Sequence, residues 1–108
     1  MAAAIVYSPE AVDHLAALSK ADQVRVVDQV ERLLADQPTL ASRKRKFLRP
    51  NSLAQRELRL GDLRVFYDVT TDPASDSETT QARTTVSIKG VGKKVHNELW
   101  IGGEKIEL

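Results

Sequence analysis

The clearest alternation of apolar and polar positions lies in residues 55–69, QRELRLGDLRVFYDV, and predicts a β-hairpin. Its two runs flank Gly61-Asp62, and glycine at the first central position is typical of a two-residue turn. That turn pairs Leu60 with Leu63, Arg59 with Arg64, Leu58 with Val65 and Glu57 with Phe66. One face of the hairpin then carries Leu58, Leu60, Leu63 and Val65, and the other carries Arg59, Arg64, Glu57 and Phe66.

Before the hairpin, the pattern predicts a short strand and two helices. The apolar, partly β-branched segment Ala2–Tyr7 reads as a strand that ends at Ser8-Pro9, a cap followed by a first-turn proline. A second cap, Ser19 with Asp22, begins the second helix, which is expected to end at Gln37-Pro38. The apolar stripes are Val12, Leu15 and Leu18 on the first helix, and Val27, Val30, Leu33 and Leu34, with Val26 beside them, on the second.

After the hairpin, residues 70–82 are polar and acidic and predict a flexible connection. Alternation resumes at Thr84–Val91, and Gly90 and Gly92 are expected to end this strand, so that residues 93–97 leave the sheet. Leu99, Trp100 and Ile101 form an apolar patch that favours a core position for the tryptophan. The segment Glu104–Leu108 is a candidate last strand.

The order of elements predicts one α+β domain over residues 1–108. It consists of an N-terminal strand, a helical hairpin and a three- to four-stranded antiparallel sheet. The helices are expected on one face, with the other face open to solvent or a partner.

Composition narrows the possible chemistry. The chain has no cysteine and two histidines, which excludes disulfides and thiolate chemistry and argues against a zinc site. No metal or other cofactor is expected. No apolar run reaches the ~20 residues that a membrane span needs, and the first residues lack a basic signal-peptide region. We therefore expect a cytoplasmic protein without membrane contacts.

The net charge of +1 hides a segregation of charge along the chain. Residues 43–69 carry a net +5 and residues 83–108 a net +2, whereas residues 1–42 and 70–82 each carry −3. A basic centre attracts polyanions locally, although a solvated basic surface gives the same pattern. Arg59 and Arg64 lie opposite each other, which costs stability. Either Glu57 offsets that cost as a counter-ion, or a phosphate ligand does.

Three motifs resemble the RelE/ParE superfamily of bacterial type II toxins, over the span Ile5–Trp100. They are YSPEA at the first helix, RELRLGDLRVFYDV in the hairpin and VGKKVHNELW near the C-terminus. The resemblance implies a microbial RNase-like fold and a cognate antitoxin whose segment wraps the toxin, with operator DNA contacted only through the antitoxin. The RelE branch cuts mRNA on the ribosome without metal, whereas the ParE branch inhibits DNA gyrase.

The resemblance also implies roles for individual residues. Arg64 matches the family's phosphate-binding arginine, and Lys94 falls where an arginine stabilises the transition state. Trp100 falls at a conserved tyrosine, and Gln55 and Glu57 replace the two strand lysines of the RelE type. Glu57 and His96 match acid or base positions of related toxins. The candidate catalytic residues are Arg64, Lys94, Glu57 and His96, and the candidate RNA-binding residues are Arg59, Arg56, Lys46, Arg49, Lys89, Lys93 and Trp100.

Three functions remain open at this point: a ribosome-dependent mRNA endonuclease, a gyrase inhibitor, and a weakly active binding module in an antitoxin–operator complex. Loss of the strand lysines favours the second and third functions. The Glu57 and His96 pair, together with Lys93-Lys94, favours the first.

Overall fold

Two helices and a seven-stranded sheet make up the fold, as described by a computed structural model for residues 3–34, 45–48, 50–51, 53–72 and 83–106. The elements in chain order are β1 Ala4–Tyr7, α1 Pro9–Ala16, α2 Lys20–Leu34, β2 Arg45–Phe47, β3 Arg56–Leu60, β4 Leu63–Asp72, β5 Arg83–Val95, β6 Glu98–Ile101 and β7 Glu104–Ile106. The predicted α+β class and element order are confirmed. The sheet is larger than the three to four strands expected.

Both helices begin at the predicted serine caps. The Ser8 hydroxyl accepts the Ala11 backbone N–H at 3.1 Å, and the Ser19 hydroxyl accepts that of Asp22 at 3.2 Å. On each helix, one expected stripe residue is exposed, and the residue just before it in the chain is buried instead. Ala11 on α1 and Val26, Val30 and Leu34 on α2 are buried, whereas Val12 and Val27 are exposed. The predicted end of α2 at Gln37-Pro38 lies outside the described residues, and the helix is described as far as Leu34.

The central hairpin has the predicted register in all four pairs, including Arg59 opposite Arg64. The strands around it are longer than expected. β4 continues through Thr70 to Asp72, so these three residues belong to a strand and not to the flexible connection predicted for residues 70–82. The rest of that connection, residues 73–82, lies outside the described residues. β5 continues past both glycines to Val95.

Gly92 does not end β5. Its missing side chain instead lets β5 and β6 lie close together at this position. A Cβ atom at Gly92 would lie 2.6 Å from the Trp100 carbonyl oxygen. The chain turns only at His96 and Asn97, whose φ angles are 51° and 65°. Lys93, Lys94 and Val95 therefore stay in the sheet, contrary to the prediction.

The long strand β5 is the centre of the sheet. The strands follow the order β2-β3-β4-β5-β6-β7, and β1 pairs with β5 in parallel. β1 pairs with Thr85–Ile88 and β6 with Gly92–Val95. Strand β2, which lies in the basic segment of residues 43–69, pairs with β3 so that Lys46 lies opposite Glu57.

Each face of the sheet carries its own apolar core. The larger core, under the helices, contains the predicted hairpin residues Leu58, Leu60, Leu63 and Val65. The smaller core lies on the opposite face and contains Ala54, Phe66, Leu99 and Ile101. The expectation of an open second face that exposes Phe66 is therefore wrong, because β6 and residues 53–54 cover it. Trp100 is 39% exposed, since alternation along β6 turns it away from Leu99 and Ile101.

Candidate nucleic-acid interface

A basic groove crosses the face of the sheet that carries the smaller core. Its volume is about 400 Å³, and both ends of the curled sheet contribute to its walls. The lining residues are Lys46, Leu48, Glu57, Arg59, Lys94, Asn97, Glu98, Leu99, Lys105 and Ile106. Four of these side chains are basic and two are acidic, so the groove favours an anionic ligand.

Glu57 lies among the cations of the groove wall. It is only 6% exposed, and its Oε2 accepts a hydrogen bond from the Arg59 Nε at 2.9 Å. Its Oε1 lies 3.9 Å from the Arg64 Nε, which is too long for a hydrogen bond but within ion-pair range. Lys46 lies directly opposite on β2. The counter-ion role suggested by the sequence is therefore present in the contacts.

The two paired arginines have different environments. The Arg64 side chain is 13% exposed, and its Nη1 donates to the carbonyl oxygens of Gly61 at 2.6 Å and Leu63 at 2.9 Å. These bonds hold the hairpin turn. The Arg59 side chain is 43% exposed and lines the groove. Of the two, Arg59 is the one whose guanidinium is open to a ligand in the groove.

Lys94, on the part of β5 that pairs with β6, also lines the groove. Its backbone N–H donates to the Asp62 carbonyl oxygen at 2.7 Å, which ties this part of β5 to the central hairpin. Lys105 on β7 forms an ion pair with Glu98 at 3.2 Å. The groove thus has Lys46, Glu57 and Arg59 from β2 and β3, and Lys94 and Lys105 from β5 and β7.

His96 and Trp100 line a different hollow. Together with Val95 and Glu98 they form a shallow depression of about 210 Å³. The structure therefore brings Glu57, Arg59 and Lys94 together in one groove but does not bring His96 or Trp100 into it. The turn at His96-Asn97 puts Asn97 in the groove lining and His96 in the adjoining hollow, and Glu98 lines both.

Other predicted RNA-binding residues lie outside the groove lining. Lys93 pairs with Asp22 at 3.3 Å and Asp62 at 3.7 Å; its hydrogen bond to Asp22 and the charges of both carboxylates raise the pKa of its ammonium group. Arg56 stacks on the Phe47 ring, 4.9 Å from its centre. Lys89 lies at the β-bulge between β4 and β5, and Arg49 is outside the described residues.

Sequence reasoning missed Asn97, Glu98 and Lys105 as members of the groove. The only local signal was the possible strand after Gly103, which did not reveal that the sheet curls back towards β2. Among the described residues, no group of three or more His, Cys, Asp and Glu side chains is placed to hold a metal ion. No helix in the described ranges is long and apolar enough to cross a membrane.

Comparison with known proteins supports the fold. No family model and no curated protein matches the sequence. A chain in the crystal structure of the toxin–antitoxin complex RelBE2 from Mycobacterium tuberculosis matches with a TM-score of 0.61 and 23% sequence identity. The match covers 87% of this chain and 100% of that chain. The two chains therefore share one fold.

Proposed function

We propose that this chain, which has the fold of a component of a toxin–antitoxin complex, is the toxin of a type II module and belongs to the RelE/ParE superfamily. Its proposed activity is cleavage of mRNA on the ribosome. The observation that carries this proposal is the groove that Arg59 and Lys94 line together with the buried carboxylate of Glu57, which pairs with Arg59. The cations in the groove can bind the phosphates of the RNA backbone, and the carboxylate can accept a proton as a general base.

The reaction uses the ribose 2′-hydroxyl as the nucleophile. Glu57 takes the proton of that hydroxyl as its oxygen attacks the neighbouring phosphorus. Arg59 and Lys94 stabilise the negative charge that builds on the phosphoryl oxygens. The bond to the 5′ oxygen breaks, and that oxygen takes a proton from the Lys94 ammonium. Glu57 then releases its proton to water and the Lys94 amine takes one up, so both groups return to their starting states. The products are a 2′,3′-cyclic phosphate and a 5′-hydroxyl end.

The proposed protein partner is a cognate antitoxin with an acidic segment that covers the basic groove. Its charge would complement Lys46, Arg59 and Lys94, so added salt should slow association. Operator DNA would be bound only through the antitoxin. The remaining proposed partners are the ribosome and its mRNA.

The test is primer extension on RNA from cells that express the chain. We expect cuts within codons, and we expect Arg59→Ala to reduce cutting by roughly 10²-fold or more, as loss of a transition-state donor does. Arg32→Ala is the control, because Arg32 is exposed on α2 and pairs only with Asp28 in the contacts described. Equal cutting by wild type and Arg59→Ala would contradict the proposed site.

A second candidate is inhibition of DNA gyrase. The specific observation in its favour is that no histidine lines the groove in the described part of the chain, while Glu57 is held by Arg59. This arrangement binds anions but has one fewer group for proton transfer than the sequence suggested. The gyrase function predicts intact transcripts and inhibited supercoiling by purified gyrase, and little change with Glu57→Gln.

A further inference from the structure

The Glu57 carboxylate contacts Arg59 in the way that a phosphate oxygen would. The Nε–Oε2 distance of 2.9 Å is that of a charge-assisted hydrogen bond. The carboxylate is 6% exposed and lies at the groove wall. An incoming phosphate and Glu57 therefore compete for the same guanidinium donor.

We infer that Glu57 is an internal anion that the RNA phosphate displaces from Arg59, and that this displacement frees Glu57 to accept the 2′-hydroxyl proton. The inference rests on the proposed function, since it describes how the same groove is loaded. It makes proton acceptance by Glu57 depend on the presence of substrate.

Displacement does not leave Glu57 as an isolated buried charge. Its second oxygen lies 3.9 Å from the Arg64 Nε, which is buried and has no hydrogen-bond partner among the described residues. Lys46 lies opposite it across the β2–β3 pair. Rotation of the carboxylate towards the Arg64 Nε replaces the bond to Arg59, so the exchange avoids the high cost of an unpaired buried carboxylate. Arg64, fixed by the turn carbonyls, stays in place to receive it.

Exchange predicts a result that neither simpler role gives. Glu57→Gln keeps the shape but removes the competing charge, so RNA should bind more tightly while cleavage slows by roughly 10²–10⁴-fold. If Glu57 acts only as a base, Glu57→Gln would slow cleavage and leave the affinity for RNA unchanged. If Glu57 acts only as a structural tether for Arg59, Glu57→Gln would lower the melting temperature, and RNA would bind with the same or weaker affinity.

The experiment measures binding of a fluorescent 2′-O-methyl RNA oligonucleotide, which cannot be cleaved, to wild type and Glu57→Gln. We expect the dissociation constant to fall about tenfold or more at low salt, the worth of one charge-assisted hydrogen bond. The slope of log affinity against log salt should steepen by about 0.7, the value for one more phosphate contact on a single strand.

Glu98→Gln is the matched control. Glu98 also lines the groove and loses the same charge, but it pairs with Lys105 rather than Arg59. Equal tightening by both variants would show only a general charge effect and would overturn the inference. If Glu57→Gln does not fold, Glu57→Asp serves instead. Its shorter carboxylate reaches Arg59 less well, so binding should tighten by a smaller factor.

A second probe separates the two possible failures. If wild type binds RNA but Glu57→Gln binds no more tightly, the exchange is wrong and the proposed function stands. If neither binds the free oligonucleotide, the primer-extension comparison of wild type and Arg59→Ala decides the proposed function, and inorganic phosphate tests the exchange through the NMR signal of the Arg59 Nε–H. A phosphate-dependent shift at lower concentration in Glu57→Gln than in wild type supports exchange, and equal titrations refute it.

Discussion

The two phenylalanines of the chain give a direct test of the smaller core. Phe66 is fully buried there with Ala54, Leu99 and Ile101. A buried aromatic ring hides about 150–250 Å², and at 25 cal/mol per Å² this is roughly 4–6 kcal/mol as an upper value. Measured Phe→Ala costs in cores are about 3–5 kcal/mol. We therefore expect Phe66→Ala to lower the free energy of unfolding by about 4 kcal/mol.

That loss is large enough to see in a thermal melt. In a domain of this size each kcal/mol moves the melting temperature by roughly 4–8 °C, so the Phe66→Ala midpoint should fall by roughly 15–30 °C. Phe47→Ala is the matched control, because Phe47 is 64% exposed and loses mainly its contact with Arg56. An exposed cation–π contact is worth about 0.5–1 kcal/mol.

The comparison of the two variants decides the outcome. Urea unfolding followed by circular dichroism gives the free energy of each variant independently of its melting temperature. If Phe66→Ala and Phe47→Ala cost the same, Phe66 is not in a core and the sheet face is open, as the sequence alone suggested. The groove would then lack its floor, since Leu99 belongs to both the core and the groove lining.

Two further predictions concern residues outside the groove. The pKa of Lys93 is raised above 10.5 chiefly by Asp22, so its stabilising effect should be complete below pH 10.5 and lost as the pH rises through the raised value. Melts of wild type and Lys93→Met between pH 9 and 12 should therefore converge at the alkaline end; a constant difference would contradict this. His96→Gly should cut RNA within twofold of wild type, because glycine suits the φ of 51° and His96 lies outside the groove; a tenfold loss in primer extension would place His96 in the reaction.

Local patterns predicted the central hairpin and the helix starts correctly. A two-residue turn fixes the register of the two strands that it joins. Once Leu60 lies opposite Leu63, Arg59 must lie opposite Arg64. Serine caps act within one turn of their own position. The contact between Glu57 and Arg59 also followed from the hairpin, because alternation puts both side chains on the same face.

The rest depended on distant parts of the chain. Three successive apolar residues, Leu99 to Ile101, do not reveal which of them faces a core, so Trp100 was predicted inside. Strand β2 has only three residues, too few for its alternation to stand out in a basic segment. The separation of His96 from Glu57 results from sheet curl and from a turn with two positive φ angles. No short window of sequence contains that information.

The parallel pairing of β1 with β5 has a consequence for biosynthesis. Ala4 pairs with Thr85, so the first strand has no partner until 81 more residues have been made. At about 5–20 residues per second this delay is roughly 4–16 s. During it, the apolar stripes of α1 and α2 have no complete sheet to cover them. The groove also needs β6 and β7, which are made after the other described strands. Under the proposed function, the nascent chain therefore cannot form its RNA-cleaving groove until the residues up to Ile106 have been made.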